Sequence, residues 1–116
     1  MRGIGIDIIE INRIKKSAKR YGEAFLRRVY TDEELSYCNN RGKLKYPELA
    51  ARFAAKEAYS KALGTGLTGI GLKQIQIVNN SQGKPHIKIG KRILHKVHLS
   101  LSHSKDFAVA SVFIEG

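Results

Sequence analysis

The chain has little of what marks secreted or membrane proteins: one cysteine, no tryptophan and no long apolar run. A single thiol, Cys38, cannot form an intramolecular disulfide, which excludes a small secreted domain held together by disulfides. The N-terminus lacks the unbroken apolar stretch of a signal peptide, and no segment approaches the ~18 apolar residues of a membrane span. We therefore expect a cytoplasmic protein with no membrane partner.

Negative charge is also scarce, because 10 acidic residues oppose 21 lysines and arginines and leave a net charge of +11. Such a charge attracts polyanions: nucleic acids, anionic membranes, phosphorylated ligands or acidic proteins. The length of 116 residues predicts one domain covering residues 1–116. A chain this short hides only about two-thirds of the surface that its unfolded form exposes, so an enclosed site is easier to build between subunits.

Residue periodicity predicts a mixture of strands and helices. Asn12 is the expected N-cap of a first helix with Tyr21 on its buried face, and Thr31 with Glu34 has the spacing of a capping box. The four glycines in residues 64–71 predict a segment that wraps closely around something. Strands are predicted at residues 3–11, 75–78, 86–89, 98–103 and 107–114, helices at 12–21, 23–29, 31–38 and 47–63, a basic loop at 39–46, and one or two helical turns at 91–96.

Asp7 is the first candidate functional residue, because it lies among isoleucines in a strand that we expect to be central. An unpaired carboxylate there would cost several kcal/mol, so a cation must meet it. That cation is either a structural partner, such as an arginine or a helix N-terminus, or a metal ion. The strand alone does not choose between them.

Glu57 is the second candidate, because at about 100° per residue it falls within the apolar stripe of the long helix. Lys61 lies one turn further on the same side, with Ser60 beside it. Glu57 and Lys61 either neutralise each other or form a site together with Asp7. Two inward carboxylates suit Mg²⁺, which keeps several waters and binds substrate phosphate oxygens. Zinc is disfavoured, because the chain has one thiol and its four histidines lack paired ligand spacing.

Three further segments allow a functional and a structural interpretation. The glycines from Gly64 to Gly69 could offer backbone N–H groups to phosphate or merely end the helix, and they lack the Lys-Ser/Thr ending of a P-loop. The polar group at residues 100–105, with His103 and Ser104, could bind phosphate or be a polar strand end. No nucleophile-elbow pattern supports a serine hydrolase. The basic helix from Arg13 to Arg20 is either a solvated face or a surface that steers an acidic protein partner.

A resemblance to a known family rests on three stretches of sequence. They are Gly3-Ile-Gly-Ile-Asp7-Ile, Arg52-Phe-Ala-Ala-Lys-Glu57-Ala-Tyr-Ser-Lys61-Ala-Leu-Gly-Thr-Gly66, and Leu101-Ser-His103-Ser. With these motifs the chain resembles, over essentially its whole length, the small single-domain phosphopantetheinyl transferases called holo-acyl-carrier-protein synthases. The middle motif is long and specific, whereas the last is short.

The resemblance implies a fold, a reaction and a set of site residues. The fold is α+β, with a small antiparallel or mixed sheet packed on a long helix, and it forms a homotrimer with active sites at the subunit interfaces. The reaction moves the phosphopantetheine arm of coenzyme A to a serine of acyl carrier protein, gives adenosine 3′,5′-bisphosphate as the second product, and supports fatty acid biosynthesis. Mg²⁺ is implied at Asp7 and Glu57, with Lys61 at the diphosphate as the third catalytic residue. The implied coenzyme-binding residues are Arg52, Ser60, Lys61, Gly64, Gly66, Pro85, His103 and Ser104, with Lys43 and Lys45 near the adenosine phosphate, and those for the acidic carrier protein are Arg13, Lys16 and Arg20.

Some alternatives remain open at this point. A basic nucleic-acid-binding module would fit the charge, but Tyr21 and Phe25 are expected in the core and two inward acids would repel phosphate. A purely structural trimeric scaffold would leave the inward acids unexplained. The group that accepts the serine proton is also open: Glu57 through a water, a metal-bound hydroxide, or Asp32.

Overall fold

The structure, a computed structural model, describes residues 2–64 and 71–116, so most of the predicted glycine-rich segment lies outside the described residues. The fold is α+β, as expected. Its elements in chain order are β1 (Gly3–Glu10), α1 (Ile11–Tyr21), α2 (Glu23–Val29), α3 (Asp32–Tyr37), β2 (Asn39–Asn40), β3 (Lys43–Leu44), α4 (Tyr46–Leu63), a 3-10 turn (Leu72–Gln74), β4 (Gln76–Asn79), β5 (Pro85–Ile89), β6 (Arg92–Ile93), β7 (Val97–His103) and β8 (Phe107–Ile114).

The main sheet is antiparallel and has the strand order β1-β8-β7. β1 pairs with β8 along its whole length, from Gly3 opposite Ile114 to Glu10 opposite Phe107. β1 is therefore an edge strand, and the prediction of a central strand is wrong. Most of its isoleucines, Ile4, Ile6 and Ile8, lie on the exposed face of the strand, and only Ile9 is buried on the face towards α4.

Two smaller sheets complete the strands of the described residues. β4, β5 and β6 form an antiparallel sheet, and β2 pairs with β3. The predicted helical turns at 91–96 are wrong, because Arg92 pairs with Ile89 after a turn in which Gly90 has a φ of 61°. The predicted loop at 39–46 is wrong in part, since a tight turn through Gly42 closes a short hairpin within it.

Helix α4 packs directly on β1 because two glycines remove the side chains between them. A Cβ added at Gly5 would overlap the carbonyl oxygen of Ala58, and one added at Gly3 would overlap that of Ala62. Because no side chain lies between them at these positions, the backbones of strand and helix approach each other closely. This packing places Asp7 next to the last turns of α4.

The core lies between α4 and the inner face of the main sheet, and it extends under α1 to α3. The face of α4 that contacts the sheet is rich in alanine, so the sheet can approach the helix closely. Fully buried members include Tyr30, Cys38, Leu49, Ala50, Ala54, Ala55, Ala58, Ile75, Ile87, Ala108 and Ala110. Burial raises the pKa of the Cys38 thiol to about 11, so Cys38 is a packed thiol with little thiolate character.

A buried lysine crosses this core. Lys56 Nζ donates to Glu34 Oε1 at 2.7 Å, to the Val29 carbonyl at 2.7 Å and to the Leu72 carbonyl at 3.0 Å. The other carboxylate oxygen of Glu34 accepts from the Ile77 amide at 2.9 Å. One ion pair thus joins α4 to α2, α3, the 3-10 turn and β4.

Helix ends test the capping predictions. The capping box at Thr31 and Glu34 is confirmed, and Gly64 ends α4 in a left-handed conformation with a φ of 77°. The prediction that Asn12 caps α1 is wrong, because the helix begins at Ile11 after Glu10, without a side-chain cap. Tyr21 is exposed rather than buried, since α1 ends there and Arg20 stacks on its ring at 5.3 Å.

One face of the main sheet is apolar and exposed. We call it the outer sheet face: Ile4, Ile6 and Ile8 on β1 are 63–64% exposed, and Phe107 and Phe113 on β8 are exposed beside them. In the part of the chain that the structure describes, no helix has both the length and the apolar composition to cross a membrane.

Candidate active site

The first site cluster joins β1 to α4 through Asp7 and Lys61. Lys61 Nζ donates to Asp7 Oδ1 at 2.9 Å and to the Ile6 carbonyl at 3.1 Å. The Asp7 side chain is 17% exposed and that of Lys61 is 55% exposed, so the pair lies at the protein surface. The hydrogen bond to the Asp7 carboxylate raises the pKa of Lys61 and keeps it charged. In this structure, the cation that meets Asp7 is a lysine.

Glu57 lies one turn before Lys61 on α4 and is half-buried. Burial raises the pKa of Glu57, the nearby Asp7 carboxylate raises it further, and Lys61 opposes both effects. Two carboxylates therefore share one small volume with a single ammonium that hydrogen-bonds to Asp7. The simple Glu57–Lys61 pair considered for the sequence does not describe this arrangement.

The donor chemistry of this cluster fits a hard divalent cation. The Asp7 carboxylate disfavours the charged form of Glu57, so a cation near both would be favourable, and oxygen is the ligand type that Mg²⁺ takes. Within residues 2–64 and 71–116, no group of three or more histidine, cysteine, aspartate or glutamate side chains could hold a metal ion. A cation at Asp7 and Glu57 would therefore take its remaining ligands from water and from a substrate.

A second cluster surrounds Arg52, which is buried in the second turn of α4. Arg52 Nη1 contacts Glu48 Oε2 at 3.1 Å, and Nη2 donates to Asn79 Oδ1 at 2.6 Å. The Tyr37 ring covers the guanidinium at 4.3 Å. His103 Nε2 lies 3.7 Å from the other oxygen of Glu48, so Glu48 connects Arg52 to the end of β7.

Comparison with known proteins identifies the family. The model of the 4′-phosphopantetheinyl transferase superfamily matches residues 3–112. The chain belongs to this superfamily.

Individual relatives of the superfamily match over nearly the whole chain. Holo-acyl-carrier-protein synthase of Halothermothrix orenii is 44% identical over 97% of this chain and 95% of its own length. That of a Wolbachia from Culex pipiens is 48% identical, with the same coverage of both chains. The crystal structure of the Neisseria meningitidis synthase superposes with a TM-score of 0.86 at 37% identity, covering 100% of this chain and 99% of its own. That of the Helicobacter pylori synthase, in complex with coenzyme A, gives 0.83 at 32% identity, covering 97% and 99%.

The remaining coenzyme residues predicted from the superfamily resemblance are dispersed. Ser60 is buried on α4, and Pro85 is the half-buried first residue of β5. Ser104 is exposed in the turn after β7, where its Oγ accepts from the Phe107 amide at 3.2 Å. Gly64 ends α4, and Gly66 lies outside the described residues. The structure thus unites Asp7, Glu57 and Lys61 in one cluster, and Arg52 and His103 in another.

The predicted partner surface on α1 is exposed, as expected. Arg13, Lys16 and Arg20 all point to solvent, while Ile14 and Ala18 are buried on the opposite side of the helix. A groove between α1 and α2 continues this surface, and exposed Tyr21 contributes to its lining.

Sequence reasoning missed three residues of the second cluster: Glu48, Tyr37 and Asn79. Glu48 and Arg52 have the i, i+4 spacing of a helical ion pair, which could have identified them as partners. Nothing in the sequence connects Asn79 to Arg52, because the two residues meet only when β4 packs beside α4.

Proposed function

We propose that this chain transfers the phosphopantetheine arm of coenzyme A to a serine of apo acyl carrier protein. The products are holo acyl carrier protein and adenosine 3′,5′-bisphosphate. The observation that carries the proposal is the Asp7–Glu57–Lys61 cluster, in a chain of the 4′-phosphopantetheinyl transferase superfamily. Relatives named holo-acyl-carrier-protein synthase, and solved ones in complex with coenzyme A or its 3′,5′-ADP part, support it. The reaction fits a cytoplasmic protein whose single cysteine forms no intramolecular disulfide.

Each residue of the first cluster has a role in this reaction. Asp7 and Glu57 would hold Mg²⁺, which supplies charge neutralisation for the diphosphate of coenzyme A when bound. Lys61 can leave Asp7 for a phosphate oxygen, since its side chain is 55% exposed and keeps its charge. Its ammonium would then stabilise the negative charge that develops on the departing adenosine bisphosphate. Glu57, through a water, and Asp32 both remain candidates for accepting the serine proton, as does a group on the metal.

The adenosine end of coenzyme A would bind at the second cluster. Arg52 supplies positive charge there, and both Arg52 and His103 supply nitrogen atoms for hydrogen bonds. Lys43 belongs to β3 of the neighbouring β2–β3 hairpin, and Lys45 follows it. Ser60, Gly64, Gly66, Pro85 and Ser104 complete the proposed coenzyme-binding set.

The outer sheet face supports a homotrimer. Three isoleucines at alternate positions of β1 are 63–64% exposed. Together with Phe107 and Phe113 they form an apolar surface of the kind that subunits bury. Further copies of this chain would cover it and place the active sites between neighbouring subunits. Such sites would supply the enclosure that a single small chain lacks.

The direct test is intact-mass spectrometry of an apo acyl carrier protein incubated with this protein, coenzyme A and Mg²⁺. We expect the carrier to gain the mass of one phosphopantetheine, and the gain to disappear in EDTA and with Glu57→Gln. That variant keeps the size of the side chain but removes its charge. No mass gain with several folded carrier proteins would refute the proposal, and nucleic-acid binding as a function of salt would then be measured.

The carrier surface has its own test in Arg13→Ala. Because Arg13 is exposed on α1 and is assigned to the carrier protein alone, we expect the KM for the carrier protein to rise about tenfold while the KM for coenzyme A stays unchanged. Steady-state kinetics with each substrate varied in turn measure both values. An equal rise of the two would contradict the assignment of α1 to the carrier protein.

A further inference from the structure

The guanidinium of Arg52 is fixed by several groups at once. Asn79 Oδ1 accepts from Nη2 at 2.6 Å, the Tyr37 ring stacks at 4.3 Å, and the Glu48 carbonyl lies 3.4 Å from Nη1. Within the described residues, Nε is buried and has no hydrogen-bond partner. Asn79, the Tyr37 ring and the Glu48 carbonyl would keep Arg52 in position without the carboxylate of Glu48, and Nη1 could then bind another acceptor in place of that carboxylate.

The Glu48 carboxylate lies between the Arg52 guanidinium and the His103 imidazole. One oxygen lies 3.1 Å from Arg52 Nη1, and the other lies 3.7 Å from His103 Nε2. The side chain of Glu48 is 33% exposed and that of His103 is 42% exposed, whereas Arg52 is only 1% exposed. An anion arriving from solvent can reach His103 directly, but it meets the carboxylate of Glu48 at the guanidinium.

A phosphate monoester would seek the same donors. Guanidinium groups bind carboxylates and phosphates through the same N–H positions, and a phosphate monoester carries about −1.5 to −2 charges at neutral pH. Such a group must displace the Glu48 carboxylate from Arg52 or bind beside it against its charge. Glu48 belongs to the first turn of α4 and is partly exposed, so it can rotate towards solvent.

We propose that Glu48 is an internal competitor for the 3′-phosphate of coenzyme A at Arg52 and His103, and thereby sets the affinity and specificity for that phosphate. This inference rests on the proposed function, which places the adenosine end of the coenzyme at the second cluster. It adds a residue that opposes binding rather than one that contacts the coenzyme favourably. Removal of the carboxylate charge should then improve recognition of the 3′-phosphate.

The test compares Glu48→Gln with the unaltered protein on two coenzymes, coenzyme A and 3′-dephospho-coenzyme A. Glutamine keeps the size of the side chain and its packing on Arg52. We expect the KM for coenzyme A to fall by about threefold to tenfold, with kcat and the KM for the dephospho form unchanged. Calorimetry adds a readout independent of turnover: adenosine 3′,5′-bisphosphate should bind more tightly to the variant, and adenosine 5′-monophosphate should not.

A matched control corrects for the extra positive charge of the variant. Glu115→Gln removes the carboxylate of another histidine pair, His98 with Glu115 at 2.6 Å, at the opposite end of β7. Both variants raise the net charge by one, but only Glu48→Gln frees Arg52. The control should leave the KM for coenzyme A within about twofold of the unaltered value.

Four results would overturn the inference while leaving the proposed function intact. They are an unchanged KM for coenzyme A in Glu48→Gln, an equal fall for both coenzymes, an equal fall in both variants, and a raised KM. The last would show that Glu48 holds Arg52 in position for the phosphate instead of competing with it. Failure of the unaltered protein to modify any carrier would instead refute the proposed function itself.

Discussion

Two lysines five residues apart on α4 take part in ion pairs of opposite character. Lys56 is fully buried and has three hydrogen-bond acceptors, one of them the equally buried Glu34. Lys61 is 55% exposed and contacts Asp7 at the surface, with Glu57 close by. Burial lowers the pKa of Lys56, opposed by Glu34, whereas the hydrogen bond to Asp7 raises the pKa of Lys61.

The difference shows how one helix serves both folding and chemistry. The hydrogen-bonding capacity of the Lys56 ammonium is used by protein acceptors, so this lysine has no donor left for a ligand. Among the described residues, Lys61 donates to the Asp7 carboxylate and the Ile6 carbonyl, which a phosphate oxygen could replace, and solvent reaches its side chain. Lys56 therefore belongs to the scaffold, whereas Lys61 remains available for its proposed role in the reaction.

Lys56→Met should have the largest effect on stability. The substitution leaves the Glu34 carboxylate buried without its partner, and breaking a buried pair in this way costs about 3–5 kcal/mol. Urea unfolding at one fixed protein concentration measures the loss. Adding Glu34→Gln should recover part of it, because no unpaired charge then remains. A loss below about 1 kcal/mol would show that the pair contributes little to the scaffold.

Lys61→Met should lower the activity of the protein without lowering its stability. If Lys61 stabilises the leaving group as proposed, loss of its ammonium should lower kcat about 100-fold, while the urea midpoint stays near that of the unaltered protein. The mass-spectrometric transfer assay gives the rate, and Lys73→Met, at an exposed lysine of the 3-10 turn, serves as the control. Full activity of Lys61→Met would show that Lys61 takes no part in the reaction and would contradict the contrast between the two lysines.

The sequence predicts one of these lysine environments better than the other. The alternation of β1 and the periodicity of α4 place Asp7, Glu57 and Lys61 on the inward faces of their own elements, because both patterns are local. Neither pattern predicts the contact between Asp7 and Lys61, which forms only when β1 packs on α4. The Lys56–Glu34 pair joins residues 22 positions apart, and its burial depends on how α3 and β4 pack around α4. For the same reason the pattern did not show that β1 is an edge strand or that Tyr21 is exposed, since both depend on which neighbours are present.

Gly5→Ala tests how β1 delivers Asp7 to Lys61, and its expected effect is the smallest. A Cβ at Gly5 overlaps the Ala58 carbonyl of α4, so strand and helix must separate, at the roughly 1–3 kcal/mol typical of overpacking. The matched control is Gly71→Ala, since a Cβ at Gly71 meets nothing within 4 Å. We expect Gly5→Ala to unfold at a lower urea concentration than the unaltered protein and Gly71→Ala to unfold at the same concentration. Because the separation also moves Asp7 away from Lys61, the transfer rate of Gly5→Ala should fall by more than its loss of stability alone would explain. An equal effect of the two alanines would mean that the close contact between β1 and α4 does not position the site.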